Sequence, residues 1–310
     1  MDEKIKIFDM SINQKLSQKF KNNFFNNIQL SSYSWFNLGG PAEYFFKPNN
    51  KNELINFLKE NKKNKLRITI LGAGSNVLIR DNGIKGVVIK LGSGFAKIKH
   101  LEKNIIEAGA AALDRKISNF AKENKIGNLE FLSCIPGSIG GGVVMNSGCY
   151  DTEISKVLVS INVIDIEECK EKEIIREDIN FFYRGNNLPS KYIITSVKLR
   201  GKNEKEEIIE KKQNELIKKK KISQPSQIKT CGSTFKNFSN EKKAWELIKK
   251  AGCTDFKEGD ASISKKHCNF FVNNGSAKSS DIEKLINRVK TTIYKKIGIN
   301  LELEIKIIGE

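Results

Sequence analysis

Two glycine-rich stretches of the chain have the residue types and spacing that suit binding of phosphate groups. LGAGSNVLIRD (71–81) follows a predicted strand, and IPGSIGGGVVMNSG (135–148) lies about 60 residues further on. Backbone N–H groups in glycine-rich turns can surround phosphate oxygens, because no Cβ holds the anion away. Tight turns without a ligand are the alternative interpretation. Two such stretches together predict a site for the two ends of an extended pyrophosphate ligand.

Neither stretch has the spacing of the common nucleotide-binding motifs. Gly72 and Gly74 are followed by Val77 and not by a third glycine, so the pattern G-x-G-x-x-G is absent. Neither stretch matches G-x-x-x-x-G-K-[ST] either. The sequence therefore disfavours both a Rossmann NAD-binding domain and a P-loop NTPase.

Short β-branched runs alternate with helical patterns around these stretches, which indicates an α/β or α+β fold. The predicted strands are 67–74, 86–92, 157–165, 192–200 and 299–308. The predicted helices are 51–63, 114–124, 203–221, 244–252 and 280–298.

Two of these helices carry more detailed predictions. In helix 280–298, Ser280 and Glu283 form a predicted capping box and Gly298 ends the helix. Its predicted buried stripe consists of Ile282, Leu285, Ile286, Val289 and Ile293. Helix 203–221 has glutamates early and lysines late, so we expect a solvated bridge between two domains.

The net charge of +18 comes from 54 Lys and Arg against 36 Asp and Glu. Because lysine is abundant along the whole chain, we interpret the charge as a solvated surface that favours anionic small molecules. Six scattered cysteines without a CxxC pair predict reduced thiols, a cytoplasmic protein and no metal site. The start, MDEKIKIFDM, lacks the apolar core of a signal peptide, and no run approaches the roughly 20 apolar residues of a membrane span.

Six motifs, which occur in the family's order, resemble those of the UDP-N-acetylenolpyruvoylglucosamine reductase (MurB) family. They are WFNLGGPAEYF (35–45), LGAGSNVLIRD, EFLSCIPGSIGGGVVMNSG (130–148), FYRGN (182–186), QPSQIKTCGSTFKN (224–237) and LELEI (301–305). The resemblance implies an α+β protein with an FAD-binding domain of the vanillyl-alcohol-oxidase (PCMH) type and a smaller C-terminal α+β substrate domain. The expected divisions are a lead-in, the FAD-binding domain, a charged linking helix and the substrate domain, at 1–34, 35–202, 203–222 and 223–310.

The resemblance also implies an activity. A flavoprotein reductase of this family uses NADPH, by way of FAD, to reduce UDP-N-acetylenolpyruvoylglucosamine to UDP-N-acetylmuramate in peptidoglycan precursor synthesis. Hydride goes to C3 of the enolpyruvyl group, while negative charge builds at C2 and the carboxylate. Such a reaction needs an acid for C2 and cations or donors for the enolate. The implied partner is a UDP-sugar, with no nucleic acid and no membrane, and we expect a monomer.

The matched motifs imply individual site residues. Ser233 in GSTFKN is the expected acid, Arg184 in FYRGN the expected partner of the carboxylate, and Glu304 in LELEI the expected aid to protonation. The implied FAD-binding residues are Gly72, Gly74, Ser75, Asn76, Gly137, Ser138, Gly140 and Gly141. The implied substrate-binding residues are Tyr183, Lys236 and Asn237.

Each catalytic residue also has a structural interpretation. Ser233 suits a turn, Arg184 a surface salt bridge, and Glu304 a solvent-facing strand position on the same face as Glu302. His267 matches a family segment, and for it a structural role is favoured. The chain departs from the family pattern at Phe238 in place of proline and at Ile305 and Lys306 after the glutamate.

Only 48 residues separate Arg184 from Ser233, which indicates the compact subclass without an added tyrosine loop. Two alternatives to the reductase stay open. One is another flavin oxidoreductase of the same fold, acting on an alcohol or a sugar, which needs a base in place of an acid. The other is a basic nucleic-acid-binding protein, which predicts a colourless sample and a steep dependence of binding on salt.

Overall fold

The computed structural model describes residues 16–239 and 241–310. Residues 1–15 of the predicted lead-in lie outside the described residues, and the remainder of the lead-in contributes a strand. The helices that lie whole within the described residues are α1 (Lys51–Asn64), α2 (Asp114–Glu123), α3 (Ile139–Val144), α4 (Glu206–Ser223), α5 (Ala244–Lys250) and α6 (Ser279–Ile297).

The strands are numbered in chain order. The first seven are β1 (Phe24–Gln29), β2 (Pro41–Phe46), β3 (Ile68–Ile70), β4 (Val77–Ile79), β5 (Ile84–Ile89), β6 (Ile98–His100) and β7 (Ile105–Gly109). The next nine are β8 (Ile126–Gly127), β9 (Gly148–Cys149), β10 (Thr152–Glu153), β11 (Leu158–Asp165), β12 (Lys170–Ile175), β13 (Phe181–Phe182), β14 (Gly185–Asn186), β15 (Tyr192–Arg200) and β16 (Lys202–Asn203). The last four are β17 (Lys257–Glu258), β18 (Ala261–Ile263), β19 (Phe271–Asn273) and β20 (Lys306–Ile308).

The first sheet has the strand order β1-β2-β5-β3, in which β2, β5 and β3 run parallel. Helix α1 connects β2 to β3 and stacks Phe57 on Phe46, with ring centroids 4.3 Å apart. The helix begins where Asn50 Oδ1 accepts a hydrogen bond from the Glu53 N–H at 2.9 Å. It ends at Lys65, whose φ is 53°. The predicted helix 51–63 is confirmed.

The second sheet has the order β12-β11-β15-β7-β6, with every neighbouring pair antiparallel. The predicted strands 157–165 and 192–200 form its centre as β11 and β15. Their buried residues Ile161 and Val197 share one core with Ile117 of α2 and Ile139 of α3. This core fixes the second glycine stretch, which contains α3, against the sheet.

The C-terminal part packs α5 and α6 on the antiparallel sheet β17-β18-β19. Its core includes Phe235 and Phe271, which meet edge to face at 5.8 Å. Phe36, Leu38 and Leu78 from the N-terminal part belong to the same core, and β20 pairs in parallel with β4. The predicted apolar stripe of α6 is buried as expected, at Ile282, Leu285, Ile286, Val289 and Ile293.

The start of α6 differs from the predicted capping box of Ser280 and Glu283. The side chain of Asp281 accepts a hydrogen bond from the Lys278 N–H at 2.9 Å. The carboxylate of Asp81, just after β4, accepts the N–H groups of Ser279 at 2.7 Å and Ser280 at 3.0 Å. The helix is therefore capped by a residue from the other half of the protein, and Glu283 pairs with Arg80 instead.

Helix α4 is more closely packed than the predicted solvated bridge. Ile209 and Gln213 are buried, and Gln213 Nε2 donates to the Ser118 hydroxyl of α2 at 2.8 Å. Since an apolar and an amide side chain face α2 and the segment 130–134, the helix lies on the body of the protein. None of the helices within 16–239 and 241–310 is long and apolar enough to cross a bilayer.

The predicted terminal strand 299–308 forms only at its end, as β20. Leu303 makes an isolated antiparallel bridge with Phe235, and the chain bends at Glu304 and Ile305. Because of the bend, Glu302 and Glu304 do not share the environment expected of a regular strand. The side chain of Glu302 is 76% exposed, whereas that of Glu304 is 18% exposed.

Candidate active site

A cavity of about 1500 Å³ lies between the two glycine stretches and the C-terminal part. Ligand pockets commonly measure roughly 300–1,000 Å³, so this one has room for an extended cofactor together with a second molecule. Of the predicted site residues, those that line it are Gly72, Gly74, Ser75, Asn76, Gly137, Ser138, Gly140, Gly141, Arg184, Ser233 and Glu304.

The first glycine stretch leaves β3 and turns back into β4. Gly74 has a φ of 73°, and a Cβ at this position would lie 1.8 Å from the carbonyl oxygen of Tyr33. Only glycine fits this approach. Gly72, two residues earlier, is exposed to the cavity and carries no side chain that would fill it.

The second stretch is not the glycine-rich loop that was expected, because Gly140, Gly141 and Gly142 lie inside the short helix α3. A Cβ at Gly140 would lie 2.9 Å from the Cβ of Ala110, so this glycine permits close packing of α3 on the strand side. A Cβ at Gly141 would meet only the Ser138 hydroxyl, at 3.7 Å. Of the three glycines, Gly141 is therefore the one that leaves its space to the cavity.

The two stretches contact each other. A Cβ at Gly72 would lie 3.1 Å from the Ser138 hydroxyl, and a Cβ at Gly137 would lie 3.4 Å from the Ser75 hydroxyl. Residues 72–76 and 137–142 therefore form one continuous surface of backbone and small hydroxyl side chains. We call this surface the glycine wall.

Unpartnered polar groups lie behind the glycine wall. Both carboxyl oxygens of Asp114 and the hydroxyl of Ser147 are buried without a hydrogen-bond partner among the described residues, and both residues line the cavity. Burial raises the pKa of Asp114 to about 8. Cationic side chains also line the cavity, namely Lys47, Arg67, Lys85, Lys90, Lys220 and Lys306. The wall and these cations together suit a ligand that carries phosphate groups.

Arg184 occupies the turn between β13 and β14 with a φ of 60°, which is uncommon for a residue other than glycine. Its Nε donates to Glu304 Oε1 at 2.7 Å, and its Nη2 donates to the Gly148 carbonyl at 3.2 Å. Burial works against the charged guanidinium, but the negative charge of Glu304 outweighs it, so the pKa of Arg184 is raised. The turn therefore fixes a permanent cation at the cavity.

Glu304 reaches Arg184 from the C-terminal part. Its backbone N–H donates to the Thr234 carbonyl at 2.9 Å, and its carbonyl accepts from Asn76 Nδ2 at 3.1 Å. Burial raises the pKa of Glu304, and the neighbouring Arg184 opposes this rise. With side chains 20% and 18% exposed, Arg184 and Glu304 form a half-enclosed ion pair.

Ser233 lies on the segment that holds Glu304. It follows Gly232, whose φ is 79°, and it forms an isolated bridge with Phe270. The next residue, Thr234, donates its N–H to the Asn269 carbonyl at 2.7 Å. Among the described residues the Ser233 hydroxyl has no hydrogen-bond partner, so it is free to act at the cavity. We refer to Ser233, Arg184 and Glu304, for which roles in catalysis are proposed below, as the catalytic trio.

Comparison with known proteins identifies the family. Residues 42–169 match the "FAD binding domain" family, and residues 224–308 match "UDP-N-acetylenolpyruvoylglucosamine reductase, C-terminal domain". A UDP-N-acetylenolpyruvoylglucosamine reductase from Pelagibacter ubique is 47% identical over 297 residues, which cover 94% of this chain and 98% of the relative. The chain belongs to the UDP-N-acetylenolpyruvoylglucosamine reductase family.

Two further members of the reductase family agree with this result. The reductase of Rickettsia bellii is 42% identical over 290 residues, or 94% of this chain and 95% of the relative. The crystal structure of the reductase (MurB) from Thermus caldophilus matches this chain with a TM-score of 0.79 and 30% sequence identity. The match covers 92% of this chain and 98% of the Thermus caldophilus chain. The predicted family and the α+β fold class with an FAD-binding domain are confirmed.

The glycine wall, the unpartnered groups behind it and the surrounding lysines fit the FAD that this reductase family requires. A bulky side chain in place of Gly72 or Gly141 would enter the cavity, whereas Gly74 and Gly140 are required by contacts within the protein itself. The predicted set of cofactor residues thus contains two kinds of glycine, which the sequence did not distinguish.

The three predicted substrate residues do not line the cavity of this reductase. The Tyr183 ring lies 5.0 Å from the Arg184 guanidinium, Lys236 pairs with Glu302 at 3.2 Å, and Asn237 Oδ1 accepts the Ala244 N–H at 3.1 Å. Asn237 therefore supports the first turn of α5.

Of the other family positions with a sequence prediction, His267 and Phe238 lie outside the cavity, whereas Lys306 lines it. His267 stays away from it and meets Phe270 edge to face at 4.8 Å, which suits the favoured structural role. Phe238, the departure from proline, is 54% exposed. The 48 residues between Arg184 and Ser233 contain β14, β15, β16 and α4, which leaves little chain for an added loop.

Several lining residues were missed by the sequence analysis. Asp114 was assigned only to a helix, because an acidic residue in the first turn of a helix is a common pattern that carries no functional signal. Lys220 was assigned to a solvated lysine run, yet its Nζ donates to the Cys134 carbonyl at 2.8 Å. No sequence pattern separates Lys220 from the lysines beside it, because only the packing of α4 does so.

Proposed function

We infer that the chain catalyses the FAD-dependent reduction of UDP-N-acetylenolpyruvoylglucosamine to UDP-N-acetylmuramate with NADPH, a step of peptidoglycan precursor synthesis. Membership of the reductase family supports the reaction. The structural observation that carries it is a single cavity reached by both the glycine wall and the catalytic trio. A cofactor held at the wall and a substrate at the trio would therefore share one enclosed space.

When bound, FAD supplies the redox chemistry, taking a hydride from NADPH and passing it to the enolpyruvyl double bond. We propose that the residues of the glycine wall hold it: the N–H groups and small side chains of Gly72, Gly74, Ser75 and Asn76 on one stretch, and those of Gly137, Ser138, Gly140 and Gly141 on the other. Ser138 and Ser75 add hydroxyl donors, and Lys90 adds a positive charge close to the Gly72 carbonyl.

Arg184 is proposed to bind the substrate carboxylate. A guanidinium has further N–H groups besides those that contact Glu304 and Gly148, and it can donate in parallel to a carboxylate that becomes an enolate. Glu304 holds the guanidinium in place and keeps it charged. Because the side chain is fixed before substrate arrives, little reorganisation is needed when charge develops.

Ser233 is proposed to donate the proton that reaches C2. Its hydroxyl is unengaged, and its backbone is fixed on both sides, by the bridge to Phe270 and by the contact of Thr234 with Glu304. Serine is a weak acid, so its effect depends on close placement beside the developing charge. Glu304, on the adjacent segment, would polarise the same region.

The substrate's remaining contacts and the cellular setting are also proposals. Tyr183, Lys236 and Asn237 would meet parts of the UDP-sugar that extend outside the cavity.

We propose a monomer with domains at 35–202 and 223–310, joined by the helix at 203–222 and preceded by the lead-in at 1–34. We also propose a cytoplasmic location, since the six cysteines are free thiols, and no nucleic-acid partner.

Separate half-reactions test this proposal against a flavin oxidase that needs a base. Under anaerobic conditions, NADPH should bleach the flavin of the purified protein, and the enolpyruvyl sugar nucleotide should restore its colour. Ser233→Ala should slow the second half-reaction by roughly 10²–10⁴-fold and leave the first nearly intact. Ser262→Ala is the matched control, because Ser262 lies in the same C-terminal part but outside the cavity.

An equal loss in both half-reactions would reject the role of Ser233. A yellow protein that is reduced by NADPH but is reoxidised only by an alcohol- or sugar-derived product would favour the alternative oxidoreductase. A colourless protein with salt-dependent binding to any polyanion would favour nucleic-acid binding.

A further inference from the structure

Two cysteines lie side by side in the cavity wall near the catalytic trio. Cys134 ends the short 3₁₀ turn 130–134, and Cys149 ends β9, so the two belong to different segments. Both line the cavity, and Cys149 Sγ lies 3.5 Å from the carbonyl of Phe131, which is one 3₁₀ turn before Cys134. The hydrogen bond that Cys149 donates to this carbonyl keeps it against the 3₁₀ turn.

The surroundings of Cys134 favour its thiolate. The neighbouring Cys149 thiol lowers the pKa of Cys134 although Cys134 is buried, and the Ser133 hydroxyl and Lys220 act in the same direction. Ser133 Oγ lies 3.7 Å from Cys134 Sγ. A thiolate is the nucleophilic form of cysteine, so these surroundings make Cys134 the more reactive thiol of the pair.

The other cysteines lack this arrangement. Cys231 also lines the cavity, but it is 2% exposed and its thiol donates to the Val77 carbonyl at 3.2 Å. Burial raises the pKa of Cys231 to about 11. Cys169 and Cys253 are buried and do not line the cavity. Cys268 lies outside the cavity, and burial raises its pKa. Among the described residues, two cysteines that both line the cavity and lie on neighbouring segments, one of them with a lowered pKa, are found at Cys134 and Cys149.

Both cysteines are joined to cations of the cavity. Cys149 follows Gly148, whose carbonyl accepts a hydrogen bond from Arg184. The carbonyl of Cys134 accepts a hydrogen bond from Lys220. Beyond Cys149, Tyr150 and Asp151 form a turn with φ values of 51° and 64°, which are uncommon for these residues. A bond between the two sulfurs would therefore act on Arg184 and Lys220 through single backbone groups.

We propose that Cys134 and Cys149 are a peroxide-sensitive dithiol whose disulfide form displaces Arg184 and lowers the reductase activity. The activity part of this proposal rests on the proposed function, whereas the modification itself does not. Hydrogen peroxide is the oxidant. The Cys134 thiolate attacks one peroxide oxygen, the O–O bond breaks, and with one proton the products are a Cys134 sulfenic acid and water.

The second step closes the disulfide. The Cys149 sulfur attacks the Cys134 sulfur, the S–O bond breaks, and the hydroxyl leaves as water with the proton of the Cys149 thiol. In total two thiols lose two electrons and two protons, and one peroxide becomes two waters. An external thiol restores both cysteines by exchange.

The test uses the flavin-loaded protein treated with a small excess of hydrogen peroxide. Peptide mapping without reductant should find Cys134 and Cys149 joined, and titration should find two fewer free thiols per chain than the six of the reduced protein. The enolpyruvyl half-reaction should slow by about 10²-fold, since misplacement of a positioning group by about 1 Å has that effect. Dithiothreitol should restore both readouts.

Variants assign the effect to the pair. Cys134→Ser and Cys149→Ser should each prevent the disulfide and keep activity after peroxide treatment, and Cys149→Ser should leave Cys134 to gain oxygen instead. Cys169→Ser is the matched control and should behave as the unmodified protein does. If either serine variant fails to fold, the other variant and the peptide map of the unmodified protein still decide the question.

Three results would overturn the proposal. One is that all six thiols survive peroxide that oxidises a free thiol peptide in the same tube. Another is a disulfide that forms without slowing the half-reaction. The last is that peroxide inactivates Cys134→Ser and Cys149→Ser as much as the unmodified protein, which would place the oxidised group elsewhere. A disulfide in a protein with no reductase activity before treatment would count against the proposed function and leave the modification site standing.

Discussion

The glycine wall and the catalytic trio meet in one cavity but are built in opposite ways. The wall has few side chains, and the polar groups behind it, at Asp114 and Ser147, have no partner among the described residues. The trio instead includes an ion pair at 2.7 Å, held by backbone bonds to Thr234, Asn76 and Gly148. If the wall holds FAD as proposed, the cofactor completes that region, whereas the trio is already fixed before a ligand arrives.

The difference between the wall and the trio corresponds to the difference between binding a cofactor and reacting with a substrate. A cofactor that stays bound can supply the missing contacts of its own site, so the wall needs space more than rigidity. A substrate that reacts and leaves must find its charges already in place, because reorganisation at each turnover would raise the barrier. Changes in the wall should therefore affect cofactor retention, and changes in the trio should affect rate.

After the loss of Ser233, the largest expected effect comes from breaking the trio's ion pair. Arg184→Met should slow the enolpyruvyl half-reaction by roughly 10²–10³-fold, the usual cost of losing a donor to a developing oxyanion. It also leaves Glu304 buried without its cation, so the pKa of Glu304 should rise further. Stopped-flow absorbance of the flavin measures the rate, with reduction by NADPH as the internal reference.

Glu304→Gln sharpens this prediction, because the amide keeps the size of the carboxyl and removes its charge. The effect should be smaller than that of Arg184→Met, and the double variant should lose less than the product of the single losses. Fully independent losses would mean that the ion pair does not act as one unit.

An intermediate effect is expected in the glycine wall, where the same substitution at adjacent positions gives different outcomes. Gly141→Val should lower FAD retention by roughly 10–10²-fold, since its side chain enters the cavity, while the fold keeps its stability. Gly140→Val should instead destabilise the fold by about 1–3 kcal/mol, because its Cβ would lie 2.9 Å from Ala110.

Flavin absorbance per protein after gel filtration measures retention of FAD. Thermal unfolding after removal of FAD measures the stability of the fold. A Gly141→Val protein that purifies fully yellow and active would contradict the assignment of the wall.

The last expected effect, on stability and not on rate, is a pH dependence caused by Asp114. Its pKa is about 8 in the folded protein and about 3.9 in an unfolded chain, so the folded state binds the proton more tightly. The contribution of Asp114 to the free energy of unfolding is fully present below pH about 4. It is lost as the pH rises towards 8, at up to about 1.4 kcal/mol per pH unit. Asp114→Asn should remove this slope, which thermal unfolding from pH 5 to 9 would show.

Asp165 is the matched control for Asp114. It is equally buried, but four groups donate to its carboxylate, two of them lysines, and they outweigh burial to lower its pKa to about 2. Asp165→Asn should therefore leave the slope between pH 5 and 9 unchanged. Equal slopes in the unmodified protein and in Asp114→Asn would show that Asp114 is ionised in the fold.

Local pattern was sufficient where the determining contacts are local. The alternation of strands and helices, the buried stripe of α6 and its end at Gly298 follow from residue periodicity and from the conformational freedom of glycine. The motifs around Ser233, Arg184 and the glycine stretches led to residues that line the cavity, because their chemistry is carried by residue type and order. The same motifs also led to Tyr183, Lys236 and Asn237, which do not line it.

Tertiary structure decided what depends on distant contacts. Asp81 replaced the expected local cap of α6, Lys220 became a cavity residue through the packing of α4, and the bend at Glu304 separated it from Glu302. In each case the side chain's partner lies far away in the chain. Periodicity describes the face of an element and not what lies opposite it, so only the folded protein could join Arg184 to Glu304 across 120 positions.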